Sequence, residues 1–255
     1  MKLLLISDVH FGRDVAYPTR HDEVFGTFGS EFPALFSKIM PKLNEADLLV
    51  NLGDSISAQD PGSDARNYAQ FADYCRKISV PKYYVIGNHD TTNLTRAQLM
   101  GFTGQHSAYF SFDRSGFHHV ILDSQWKGYP EAIDENQISW LKKDLENAKY
   151  QAIVYMHYPC DEQSLEDNPF FRGHDNWLFI RQKEKLRKIF EESGNVSLVA
   201  FGHSHYFNLQ KISGILYLNA PSFTQTDAHE KPTGAYLEVV MDSSVINVDI
   251  RNTGL

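Results

Sequence analysis

The chain has 255 residues, 42% of them hydrophobic and 22% charged, as in a soluble globular protein that can bury a substantial core. Lys plus Arg is 24 against 32 for Asp plus Glu, a formal charge of −8, which disfavours a protein that tracks a nucleic-acid backbone. Cys75 and Cys160 lack zinc-finger spacing, no run of about eighteen apolar residues occurs, and Leu3 to Ile6 is too short for a secretory leader. A cytoplasmic protein without a membrane segment is the expectation.

Leu3-Leu4-Leu5-Ile6 is continuously apolar, the pattern of a strand covered on both faces. It runs into Ser7-Asp8-Val9-His10, where Asp8 and His10, two apart, point the same way on an extended segment. A carboxylate and an imidazole aimed at one point suit a divalent metal of the Mn, Fe or Zn type, although an isolated D-x-H is more often a solvated loop. Residues 13–28 are polar and glycine-containing and read as a loop bordering that point, with Arg13, Arg20 and His21 on it.

The spacing of Phe32, Leu35, Phe36 and Ile39 predicts a helix over 30–43. Pro33 suits its first turn, and Pro41 is expected to end or kink it near residue 40. Residues 46–52 read as a second buried strand, ending in Gly53-Asp54. Ala65, Tyr68, Phe71, Ala72, Cys75 and Ile78 then recur at helical spacing, which makes Cys75 a core thiol. Lys82 to Ile86, aromatic and β-branched, is a third strand and ends in Gly87-Asn88-His89-Asp90. Three strands in succession thus finish in metal-capable residues, at the edge where open α/β sheets hold ligands.

Residues 107–112 alternate, and 117–122 are apolar apart from His118 and His119, which predicts two strands joined through Asp113 to Gly116. Adjacent histidines on a strand face opposite ways, so structural or solvent-facing roles are expected for both. Asp134-x-x-Gln137 has the form of a capping box opening a helix with Ile138, Leu141 and Leu145. A strand over 152–156 ends in His157-Tyr158-Pro159. A helix rich in Lys and Glu covers 181–192, and a strand over 196–201 ends in Gly202-His203-Ser204-His205. Strand-like runs at 215–218, 234–240 and 245–250 follow. With no linker or internal repeat, one domain over 1–255 built on two sheets is expected.

With D-x-H, G-D, G-N-H-D, a lone His before Tyr-Pro, and G-H-S-H in that order, the chain resembles the calcineurin-like metallophosphoesterases over roughly residues 2–220. The resemblance implies an α/β fold: two mixed β-sheets packed as a sandwich with helices on the outer faces, four layers in the order α/β/β/α. It implies two divalent metal ions (Mn, Fe, Zn or a mixture) at one edge. Asp8, His10 and His205 would bind one ion and Asn88, His157 and His203 the other, with Asp54 bridging both. His89 would be the catalytic histidine beside them, and Asp90 would orient His89 or cap the next helix. Hydrolysis would use a hydroxide shared by ions about 4 Å apart. His89 would give a proton to the leaving oxygen or stabilise it as a cation.

Gly53-Asp54 continues as Ser55-Ile56-Ser57-Ala58, unlike the serine/threonine phosphatases of the family, which carry an acidic residue and Arg-Gly there. Purple acid phosphatases have a tyrosine where Ser57 stands, and 255 residues leave little room for the DNA-binding cap of the double-strand-break nucleases. The compact branch that includes class III cyclic-nucleotide phosphodiesterases is similar through Ile121 to Ser124, Gln137 to Leu141 and the strand into His157. The expected reaction is hydrolysis of a small phosphodiester or nucleotide. A phosphomonoesterase and a non-catalytic metal-binding scaffold are the alternatives. Residues 160–178 follow a ligand directly and carry Phe170, Phe171, Arg172, His174 and Trp177. Arg172 is the candidate substrate contact, and the aromatics either stack on a base or anchor the loop.

Overall fold

A computed structural model describes residues 1–18, 24–124, 132–168, 170–227, 231–242 and 244–253. The first part of the chain forms β1 (Lys2–Ile6), β2 (Asp14–Pro18), β3 (Val24–Phe28), α1 (Phe32–Leu43), β4 (Leu48–Asn51), α2 (Pro61–Arg76), β5 (Lys82–Tyr84) and α3 (Arg96–Thr103). There follow β6 (Phe110–Arg114), β7 (Phe117–Ile121), α4 (Glu135–Asn147), β8 (Gln151–Met156), α5 (Asp175–Leu178), α6 (Lys183–Ser193) and β9 (Val196–Phe201). The chain then forms β10 (Asn208–Ile212), β11 (Ile215–Asn219), β12 (Gln225–Asp227), β13 (Tyr236–Met241) and β14 (Ile246–Arg251).

Two mixed sheets face each other. One has the order β14-β13-β1-β4-β5, with β1, β4 and β5 parallel. The other has the order β10-β11-β9-β8-β7-β6, with β7, β8, β9 and β11 parallel and both outer strands antiparallel. The apolar runs follow from burial on both faces. Leu3 and Leu5 of β1 meet Ile153 and Tyr155 of β8 and Leu198 and Ala200 of β9 between the sheets. Leu4 and Ile6 point outward onto Phe36, Phe71 and Leu99 of α1, α2 and α3. Val154 and Met156 of β8 likewise meet Leu141 of α4 and Phe190 of α6. Each fully buried Leu or Ile of these strands contributes about 1.5–3 kcal/mol by leaving water. The four-layer α/β/β/α sandwich is therefore what the alternating faces build.

The described residues within 13–28 depart from the loop expectation. β2 and β3 pair antiparallel, and β12 adds to β3 with Gln225 opposite Thr27. Their stabilising neighbour lies some two hundred positions along the chain, where local pattern cannot show it. Arg20 and His21 lie outside the described residues. Pro41 does not end α1, which continues to Leu43. Proline in the last turn forfeits one amide donor, and the Asn44 amide still closes onto the Met40 carbonyl at 3.1 Å. The box at Asp134 is not formed either: Asp134 caps α4 through the Asn136 amide, while Gln137 turns to the backbone of Asp123. A reciprocal capping box does open α3, through Thr95 and Gln98.

His118 and His119 take the structural roles expected of them. His119 Nδ1 lies 2.9 Å from the Tyr155 hydroxyl. His118 sits between two carboxylates, Asp113 at 2.7 Å and Asp144 at 2.9 Å, joining the β6–β7 hairpin to α4. The Asp144 hydrogen bond, aided by Asp113, holds its pKa above the ordinary value of 6.5. A raised histidine stabilises fully below its unfolded pKa, and that contribution is lost as pH rises through the higher native value. His118→Gln is expected to lower stability by about 2 kcal/mol at pH 6 and by progressively less as pH rises. Urea midpoints of both proteins between pH 5 and 9 check this; a difference independent of pH contradicts it.

Candidate metal centre

The carboxyl ends of five strands, three parallel in one sheet and two parallel in the other, meet at one edge of the sandwich. Asp8 and His10 follow β1, Asp54 follows β4, Asn88 and His89 follow β5, His157 follows β8, and His203 and His205 follow β9. Beyond the strand ends, backbone hydrogen bonds still join the loops: Asp8 N–H donates to the Gly53 carbonyl and His10 N–H to the Asp54 carbonyl, both at 3.0 Å. Ser222, Phe223 and Thr224, which follow β11, reach back to the carbonyls of Asp8, Ser7 and Val9. The second sheet is thereby tied to the loop carrying Asp8 and His10.

The cluster is conformationally costly. Seven described non-glycine residues have positive φ, and five of them are Asp8 (49°), His10 (47°), Asp54 (50°), His203 (63°) and His205 (60°). Such backbone costs about 1 kcal/mol or more per residue and persists where the surroundings over-determine it, characteristically at functional sites. The motif glycines are needed for a different reason. A Cβ on Gly87 would lie 2.1 Å from Asp54 Oδ1, and one on Gly202 would lie 2.3 Å from Ser7 Oγ.

The donor atoms converge. His205 Nε2 lies 3.1 Å from His10 Nε2 and 3.3 Å from Asp8 Oδ1. Asp54 Oδ2 lies 3.4 Å from His157 Nε2 and 3.9 Å from His10 Nε2, and His157 Nε2 is 3.0 Å from Asn88 Oδ1. Three triads keep their ligand atoms within 4.8 Å of one another: Asp8–His10–His205, His10–Asp54–His89 and Asp54–His157–His203. In three of the histidines the opposite ring nitrogen is engaged outward, whereas His10 Nδ1 is buried without a partner among the described residues. His157 Nδ1 faces the Leu52 carbonyl at 2.8 Å, His203 Nε2 faces the Trp177 carbonyl at 2.9 Å, and His205 Nδ1 faces Gln225 Oε1. Each such acceptor holds the proton on the outer nitrogen and leaves the inner lone pair toward the cluster, as in metal-bound histidines. Two inward imidazole nitrogens 3.1 Å apart beside two carboxylates are poor company for each other and a good donor set for a divalent cation.

The electrostatics divide the cluster: against the effect of burial, Asp54 holds His157 up at about 9 and Asp8 holds His205 above its ordinary value, so a cation bound there would displace a proton from each ring. Burial would raise the Asp54 carboxyl, yet the neighbouring histidines, His157 foremost, pull it well below the usual carboxylate range. Burial, reinforced by His157, pushes His203 down to about 3, so its imidazole is neutral and fit to ligate. Asp90 behaves otherwise: burial, with Asp54 nearby, pushes it up to about 8. Its two oxygens accept from the amides of Ser55 and Gly87 at 2.8 and 2.9 Å. Asp90 therefore clamps the loop of Asp54 to the loop of Asn88, and it neither orients the His89 ring nor caps α3, whose cap is Thr95. Together with Ser222, Thr224 and Gln225 it belongs to the supporting frame that single motifs do not reveal.

Asp8, His10, Asp54, Asn88, His89, His157, His203 and His205 are thus brought together. His89 stands half-buried at the rim, its amide donating to Asp54 Oδ1 at 2.8 Å and its ring edge-on to His10. Arg172 is exposed, and its Nε donates to the Glu166 carbonyl within its own loop.

Four α/β/β/α layers with histidine and carboxylate donors at one sheet edge define a metallophosphoesterase, a hydrolase of phosphoric esters. The family model for the calcineurin-like phosphoesterases matches residues 1–207, and the chain belongs to that family. It is 24% identical over 196 residues to a protein of Nostoc sp. (strain PCC 7120) named as a 3′,5′-cyclic-nucleotide phosphodiesterase, covering 75% of this chain and 68% of the relative. A dimetal phosphatase from Danio rerio has a TM-score of 0.79 at 15% identity, over 99% of this chain and 96% of that one. Purple acid phosphatase from yellow lupin seeds has a TM-score of 0.65 at 14% identity, over 99% and 51%. These two likenesses show the fold. Family membership implies divalent metal ions, which the donor set fits. No helix among the described residues is long and apolar enough to cross a membrane.

Proposed function

We propose that the chain hydrolyses a small phosphodiester or nucleotide at a two-metal centre. The observation that carries this reading is Asp54, whose carboxylate belongs both to the His10 triad and to the His157–His203 triad, as a bridging ligand must. In this assignment Asp8, His10 and His205 hold one divalent ion, Asn88, His157 and His203 hold the second, and Asp54 serves both. The ions, Mn, Fe, Zn or a mixture, supply an activated water near neutral pH and offset charge on the phosphoryl oxygens when bound.

The chain's own residues do the rest. Outward hydrogen bonds fix the imidazoles of His157, His203 and His205, so the donor set is preorganised. His89, at the rim and outside the seven ligands, gives a proton to the leaving oxygen. Residues 1–255 act as one domain in this reading, because β13, beyond the matched residues, completes the sheet of β1. A cytoplasmic location accords with the free, buried thiols of Cys75 and Cys160. A diester substrate is supported by the name of the Nostoc relative.

Turnover of a simple aryl phosphodiester and the matching monoester, with Mn²⁺ and with chelator, tests the proposal. Mn²⁺-dependent diester hydrolysis that falls roughly 10²- to 10⁴-fold in His89→Ala is expected. Preference for the monoester makes the protein a phosphomonoesterase. Bound metal with neither ester turned over favours a non-catalytic scaffold.

A further inference from the structure

The largest exposed apolar side chain among the described residues is Trp177, 49% exposed, on the short α5. Single exposed apolar side chains are ordinary on protein surfaces, so what matters for Trp177 is where its backbone is fixed and how its ring is held. Trp177 is held one hydrogen bond from the donor set: its backbone carbonyl accepts from His203 Nε2 at 2.9 Å. The same loop packs Phe171 against His203 and Phe170 against His205, with ring centroids 5.1 and 5.7 Å apart. These two rings anchor the segment.

The His174 ring stacks on the indole almost parallel, with centroids 4.0 Å apart and planes 7° apart. One face of Trp177 is thereby covered by the His174 ring and its plane set, and about half of the side chain stays open to solvent. A flat aromatic surface, pre-oriented by a neighbouring ring and tethered to the cluster by its own backbone, is a platform for a second planar ring.

We infer that Trp177, backed by His174, is the stacking platform for a heteroaromatic base on the substrate, which makes a nucleoside phosphoester the substrate class. The inference rests on the phosphoester reading of the centre. The platform binds the base and leaves the phosphorus chemistry to the residues of the cluster. Trp177 is thus a specificity residue, and its carbonyl is separately a positioning group for His203.

That separation makes a clean test, since Trp177→Ala removes the indole and keeps the carbonyl. Equilibrium binding of adenosine 5′-monophosphate and of ribose 5-phosphate is measured on Mn²⁺-loaded wild type, Trp177→Ala and Trp177→Phe. Wild type is expected to prefer the nucleotide by about tenfold. Trp177→Ala is expected to bring that ratio close to one by weakening the nucleotide alone, and Trp177→Phe to restore part of it. No preference in wild type, or the same preference in all three proteins, overturns the platform and leaves the metal centre standing. Mn²⁺ bound with no affinity for either phosphate compound overturns the phosphoester reading, and the platform falls with it.

Discussion

Replacing Asp54 with asparagine is expected to lower kcat for the preferred phosphoester by at least about 1,000-fold, roughly 4 kcal/mol of transition-state stabilisation. The substitution is nearly isosteric. Its remaining carbonyl oxygen can still accept from the His89 amide, a bond of 2.8 Å in the native protein, so the loop keeps its path. What is lost is the negative charge that two imidazoles face, at 3.4 and 3.9 Å. A neutral amide oxygen is a weak ligand and a poor bridge between two cations. Steady-state kinetics together with circular dichroism check the prediction. Retained fold with lost turnover supports the bridging role, whereas activity within tenfold of wild type contradicts it.

Gly87→Ala is expected to cut activity by 100-fold or more while destabilising the fold by only about 1–3 kcal/mol. The added methyl would stand 2.1 Å from Asp54 Oδ1 and 2.2 Å from the Asp54 amide nitrogen, and the latter belongs to backbone that cannot rotate aside. Something must shift, and whichever loop yields carries either Asp54 or Asn88 and His89. Displacements of about 1 Å in such a site suffice for a loss of that size. Gly101, within α3, makes the contrast: a Cβ there meets nothing within 4 Å. Gly101→Ala is expected to stabilise by about 0.5–1 kcal/mol through helix propensity, with activity unchanged. Denaturation midpoints and initial rates of the two variants distinguish local collision from a general intolerance of alanine.

The five strand-end motifs were legible in the sequence because two local properties coincide there. A short apolar run announces a doubly buried strand, and residue type alone marks Asp, Asn and His as donors once the run stops. Parallel pairing puts the ends of β1, β4 and β5 on one edge of their sheet and those of β8 and β9 on one edge of theirs, and the packing of the two sheets brings those edges together. The parts that escaped depend on distant partners. β3 is completed by Gln225 to Asp227, and Gln137 left its expected capping position because the backbone of Asp123 offers it two hydrogen bonds. From sequence Asp90 reads as a cap or an orienting group, since nothing in Gly87-Asn88-His89-Asp90 announces the Ser55 amide it binds. The positive φ of Asp8, His10, Asp54, His203 and His205 has no sequence signature either. Long-range bonds meet those residues there: Asp8 N–H donates to the Gly53 carbonyl, His10 N–H to the Asp54 carbonyl, His203 N–H to the Asp8 carboxylate, and Ser222 N–H to the His205 carbonyl.

The central claim is that one carboxylate joins two metal sites, and Mn²⁺ titration of the metal-free protein to saturation tests it most directly. Two ions bound per chain in wild type and at most one in Asp54→Asn is the predicted result. A single ion in wild type, or two retained at unchanged affinity in Asp54→Asn, contradicts it.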